Sequence, residues 1–178
     1  MAKDILEEIV AYKRIEVAQQ KEQVPPSILY NKVEKMMADG DYSKLSMRTS
    51  LANSASGIIS EFKRKSPSKG WIKEEGKPEI IPASYSDNGA SAISILTDEK
   101  YFGGSMDFVR IARPNVACPI LRKDFIVDEY QLFQAREIGA NAVLLIAADL
   151  TKAECKQLAK TAHELGLEVL LEMHSEKE

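Results

Sequence analysis

Three segments of this sequence repeat one local design. N-G-A-S-A-I-S-I-L-T (88–97), I-G-A-N-A-V-L-L-I-A (138–147) and the looser L-G-L-E-V-L-L-E (165–172) each read as a helix end, a glycine and an apolar strand. Glycine suits the left-handed position just past a helix, because it has no Cβ to clash there. Strands that are apolar at nearly every position belong to a parallel sheet covered on both faces. A chain built on this joint folds as an α/β protein.

Extending the pattern in both directions gives strands at Ile58–Lys63, Ala92–Thr97, Pro119–Lys123, Ala142–Ala147 and Leu167–Glu172. Helices are expected between them, around Glu79–Ser86, Met106–Arg113, Glu129–Ile138 and Lys152–Leu165. Thr151-x-x-Glu154 is a capping box that opens the last helix. Strand ends recur at roughly 25–35 residues, the pitch of a βα unit in a (β/α)8 TIM barrel of about 250 residues. The expected fold class is therefore α/β, a (β/α)8 barrel of which five units are present. No G-x-G-x-x-G follows the first strand and no G-x-x-x-x-G-K-[ST] occurs, which disfavours an open dinucleotide-binding or nucleotide-hydrolysing sheet.

Residues 1–56 read differently. Ile5, Ile9 and Tyr12, with Leu6 and Val10, recur at helical spacing over about Asp4–Gln23. Pro25 and Pro26 close that helix, and Pro26-Ser27 opens a second. The expected organisation is a helical extension, 1–56, packed on the barrel units of 57–178. At 178 residues the chain suits one core. A net charge of −3 gives no footing for nucleic acid, and no apolar run nears the roughly 20 residues that span a bilayer. The N-terminus has no apolar signal core, and Cys118 and Cys155 suggest neither a disulfide framework nor a zinc site. A cytoplasmic protein with free thiols, no metal and no cofactor is expected.

In a barrel the active site lies at the C-terminal ends of the strands. Those ends carry Glu61 and Lys63, Thr97, Lys123, and Glu172. Strand residues alternate between faces, so Ile59, Glu61 and Lys63 share one face, as do Leu121, Lys123 and Phe125, and Leu170 and Glu172. A lone charge turned to a packed interior is costly. Two lysines and two glutamates meeting at one mouth balance one another and can act as general acids and bases. Arg122 and Asp124 have the opposite parity and are expected to face the helices. His163 and His174 lack metal-ligand spacing and read as structural or exposed. Lys65 and Lys69 read as a solvated charge run.

The segments I-I-S-E-F-K-R-K-S-P-S-K-G, L-T-D-E-K-Y-F-G-G-S, P-I-L-R-K-D-F-I-V-D-E-Y-Q and V-L-L-E-M-H resemble indole-3-glycerol-phosphate synthase, in that family's order and spacing. The resemblance extends over the whole chain, including the helical extension. It implies ring closure, decarboxylation and dehydration of 1-(2-carboxyphenylamino)-1-deoxyribulose 5-phosphate in tryptophan biosynthesis. By resemblance, Lys123 is the general acid at the substrate ketone and Glu172 the general base before dehydration. Lys63 assists loss of the hydroxyl and contacts phosphate or carboxylate, and Glu61 orients the lysines. Phe102 and Phe125 flank the anthranilate ring, and Ser66 binds the carboxylate. Family members continue through three further strands with the phosphate loops. The chain as given is therefore expected to be inactive alone and to self-associate through its outer strands. Two other readings stand beside this one: a non-catalytic barrel fragment, and another phosphosugar barrel enzyme using the same mouth.

Overall fold

The computed structural model describes residues 3–175. The chain opens with helices α1 (Lys3–Gln23), α2 (Pro26–Asp39) and α3 (Met47–Ala52). Pro26 sits in the first turn of α2, where a missing N–H leaves no bond unmade, and Gly40, at φ 71°, ends that helix. Strand β1 (Ile59–Phe62) follows, then a small hairpin of β2 (Lys65–Ser66) and β3 (Gly70–Trp71). Helices and strands then alternate: α4 (Ile81–Asp87), β4 (Ala92–Leu96), α5 (Met106–Ala112), β5 (Ile120–Lys123), α6 (Tyr130–Glu137), β6 (Ala142–Ile146), α7 (Lys152–Glu164) and β7 (Glu168–Glu172). The expected bounds hold to within one or two residues at most ends. The hairpin and α3 are additions to them.

β1, β4, β5, β6 and β7 form one parallel sheet in that order. Gly89, Gly139 and Gly166 adopt φ of 89°, 92° and 66°, as the repeated joint requires. The capping box is present: Thr151 accepts from the Glu154 N–H, and Glu154 accepts from the Thr151 N–H. Every residue of β4 and β6 is buried, the condition that removes alternation from their sequences.

One face of the sheet packs on the helices. Phe62, Ile93, Ile95 and Ile120 meet Val109 and Ala112, while Val143 and Leu145 meet Leu132, Leu158 and Ala162. Removing a buried leucine side chain of this kind costs about 2–5 kcal/mol. The opposite face gathers Ile59, Leu121, Ala142, Leu144, Ile146 and Leu170. Among the described residues, β1 and β7 are the outer strands.

The N-terminal helices are bound into this scaffold. Val17, Leu29 and Val33 belong to the same apolar cluster as Leu132 and Leu145. Tyr130 donates its hydroxyl to the Gln20 and Val24 carbonyls, and Lys21 pairs with Asp128 at 2.7 Å. At the far end Arg136, fully buried, donates to the Leu165, Gly166 and Ser43 carbonyls. Burial lowers that guanidinium to about 10. Among the described residues, no helix is long and apolar enough to cross a membrane.

Candidate active site

Parallel register brings the strand ends into one rim. Leu96 pairs with Lys123 across β4 and β5, and Ile146 pairs with Glu172 across β6 and β7. Above them lies a cleft of about 590 Å³, lined by Glu61, Lys63, Lys123, Glu172, Phe102 and Phe125 together with Leu6 and Glu7 of α1. Six of the eight residues singled out from the sequence thus share one cavity. Lys63 Nζ lies 2.7 Å from Glu61 Oε1, and Lys123 Nζ lies 3.7 Å from Glu172 Oε2. All four side chains are roughly one-third exposed, open enough to meet a ligand.

Phe102 and Phe125 stand at the same mouth with ring centroids 5.9 Å apart and planes inclined by 39°. The turn that carries Phe102 is tightly specified. Asp98 Oδ1 accepts the Tyr101 and Phe102 N–H groups, and the Gly104 N–H donates to the Asp98 carbonyl. A Cβ on Gly104 would stand 2.4 Å from the Leu96 carbonyl oxygen, so only glycine fits. Phe125 is held from both sides: its N–H donates to Asp124 Oδ1, and its carbonyl accepts from the buried Gln131 amide.

Two expectations change. Ser66 is buried within the hairpin, as the last residue of β2, where its hydroxyl accepts the Lys69 N–H, and it does not line the cleft. Thr97 does not line it either: its hydroxyl donates to Asp124 Oδ2 and accepts from Arg122 Nε in a buried network. The reason is parity, since Ser94 and Leu96 turn inward while Ile93, Ile95 and Thr97 turn outward. The same parity sends Arg122 to the Gln131 carbonyl on the helical side, as expected.

The structure adds His174, which had read as structural or exposed, and Asp149, which the sequence had not marked. His174 lines the cleft, with Nε2 3.3 Å from Glu172 Oε1. Its signal was two-residue spacing from Glu172, which puts both on one face. Asp149, in the turn after β6, contributes a carboxyl whose Oδ2 is buried without a hydrogen-bond partner. Burial first, and then the charge of Glu172, push it up to about 6 against the pull of Arg14 and His174. Asp124 behaves oppositely. Burial alone would raise it, yet Lys13, Arg122 and the Thr97 hydroxyl outweigh burial and hold it at about 2. No group of three or more His, Cys, Asp or Glu suited to a metal occurs among the described residues.

The family model for indole-3-glycerol phosphate synthase matches residues 6–178. A relative of that name from Bacteroides thetaiotaomicron is 58% identical over 99% of this chain and 66% of its own length. Relatives of the same name from Prochlorococcus marinus and Neisseria meningitidis serogroup B are each 43% identical, over 59% and 67% of their lengths. The chain spans about two thirds or less of the length of these relatives. The segments that build the cleft fall within the matched residues, and the chain belongs to the indole-3-glycerol phosphate synthase family.

Proposed function

We propose that this cleft carries the ring-closing chemistry of an indole-3-glycerol phosphate synthase, acting on 1-(2-carboxyphenylamino)-1-deoxyribulose 5-phosphate. The observation that carries the reading is the meeting of two lysine–glutamate pairs with two phenylalanines at one mouth. The phenylalanines offer apolar faces to an anthranilate ring. As the ring carbon attacks the ketone carbon, the oxygen gains charge, and Lys123 gives it a proton. Carbon dioxide leaves and the ring regains its aromaticity. Glu172 then takes the proton whose removal starts dehydration, and Lys63 protonates the departing hydroxyl. Glu61, 2.7 Å from Lys63, fixes that ammonium. Ser66 remains a candidate carboxylate contact only if the hairpin shifts toward the cleft.

The fold in this reading is a (β/α)8 barrel with its helical extension, residues 57–178 supplying five of the units. A biosynthetic enzyme with two free cysteines suits the cytoplasm. Residues 1–178 alone are a poor catalyst in this account. Glu7, Glu61, Asp149 and Glu172 line the cleft beside Lys63 and Lys123, each of which is already paired with a glutamate, so little positive charge is left over for a dianionic phosphate. The open outer strands β1 and β7 also favour association with other chains.

Binding tests the reading directly. 2-Aminobenzoate, the aromatic end of the substrate, should bind residues 1–178 saturably, and Phe125→Ala should weaken it. No binding, or binding indifferent to Phe125, would contradict the assignment of the cleft.

A further inference from the structure

The chemistry above makes no use of Lys13, the one buried lysine among the described residues. Lys13 of α1 is 2% exposed, and its Nζ lies 2.9 Å from Asp98 Oδ2, 3.1 Å from Asp124 Oδ1 and 2.9 Å from Glu16 Oε2. Asp98 and Asp124 follow different strands, β4 and β5, and both are buried. Two buried carboxylates this close to one point repel each other unless a cation stands between them. Each also has a second role. Asp98 Oδ1 accepts the Tyr101 and Phe102 N–H groups at 2.8 and 3.2 Å, and Asp124 Oδ1 accepts the Phe125 N–H at 2.9 Å. Lys13 is thus one carboxylate away from the backbone of each cleft phenylalanine.

A simpler role would be to fasten α1 to the sheet. α1 is already fastened elsewhere: Ile9 and Val17 are in the core, Lys21 pairs with Asp128, and Glu8 accepts the Tyr101 hydroxyl. These contacts lie along the helix on both sides of Lys13. The Thr97 hydroxyl also joins the two turns through Asp124 Oδ2, but it carries no charge; Lys13 is the cation that stands between the carboxylates of Asp98 and Asp124.

We propose that Lys13 is a positioning residue: as the shared counter-ion of Asp98 and Asp124, it sets the spacing of Phe102 and Phe125 and through it the binding of the ligand's aromatic ring. The ring-binding half of this inference rests on the reading of the cleft given above. The extension helix then takes part in the site without touching the reacting atoms.

Residues 1–178 with Lys13→Met, Lys13→Arg and Asp98→Asn provide the test. Met keeps the apolar stem and removes the charge, Arg keeps the charge, and Asn keeps an amide acceptor while weakening the ion pair. Amide hydrogen exchange is read at Tyr101, Phe102 and Phe125, with the strand amides of β4 and β5 as internal controls. Equilibrium binding of 2-aminobenzoate is read by its fluorescence. Lys13→Met should raise exchange at those three amides about tenfold or more, leave the controls protected and weaken binding about tenfold. Lys13→Arg should restore most of both. If Lys13→Met does not fold, Asp98→Asn carries the same comparison. Unchanged exchange would overturn the inference, and faster exchange with intact binding would reduce Lys13 to an anchor of α1. An unsubstituted chain that fails to bind 2-aminobenzoate would overturn the reading of the cleft and the ring-binding role with it, while exchange still judges the coupling.

Discussion

Replacing Asp124 by Asn is nearly isosteric and removes one charge from the network of Lys13, Arg122 and Thr97. The carboxyl titrates at about 2 in the folded protein, against 3.8 for a free side chain. That difference corresponds to about 2 kcal/mol of stability at neutral pH. Breaking a buried ion pair outright costs about 3–5 kcal/mol, but Lys13 retains Asp98 and Glu16, so the low end applies. The expected loss is about 2–3 kcal/mol at pH 7. The sign with pH follows from the lowered value. The contribution is fully present above 3.8 and is lost as pH falls through 2, so at pH 3 about half remains, roughly 1 kcal/mol. Urea unfolding of both proteins at pH 7 and pH 3 measures it. A destabilisation equal at the two pH values would show that hydrogen-bond geometry, not charge, holds this network. A loss below about 0.5 kcal/mol at pH 7 would refute the argument altogether.

Other outcomes are expected from single observations. Asp149→Asn should raise the unfolding midpoint at about pH 8; the folded carboxyl, raised to about 6, is penalised when ionised, so the gain should fade between 6 and 3.8 and vanish below. Asn141→Ala removes an acceptor for the Ile120 N–H and Arg113 and a donor to Ser43, and should cost about 2–4 kcal/mol in urea unfolding. Gly104→Ala should destabilise the turn of Phe102 and abolish 2-aminobenzoate binding, because its Cβ meets the Leu96 carbonyl at 2.4 Å. Sedimentation of residues 1–178 should show association at micromolar concentration, and a concentration-independent monomer would contradict the view of β1 and β7 as adhesive edges.

The parallel sheet was legible because β4 and β6 are buried on both faces and so lack polar alternation. The site was legible because charge at the top of an apolar face has few structural uses. Lys63, Lys123, Glu61 and Glu172 declared themselves in this way. Where parity was followed less strictly, as at Thr97, the residue turned out to face the helices. The hairpin of β2 and β3 has two residues per strand, too few to show a period. Lys13 was hidden for another reason. On an amphipathic helix a lysine between acidic residues reads as solvated, and nothing local ties it to Asp98 or Asp124, which lie more than 80 residues further on. Asp149 likewise owes its character to burial beside Glu172, which only the folded chain creates.

In the proposed reaction Lys123 and Glu172 of this chain close and dehydrate the indole ring. Single-turnover indole fluorescence measures it most directly, on residues 1–178 joined to the C-terminal third of the Bacteroides thetaiotaomicron relative, with and without Lys123→Ala. The joined chain should convert 1-(2-carboxyphenylamino)-1-deoxyribulose 5-phosphate to indole-3-glycerol phosphate. Lys123→Ala should slow that step about 10²–10⁴-fold with little change in binding, because the proton is needed only as charge develops on the ketone oxygen. A folded joined chain that yields no indole product, or a Lys123→Ala protein that turns over at the unsubstituted rate, would contradict it.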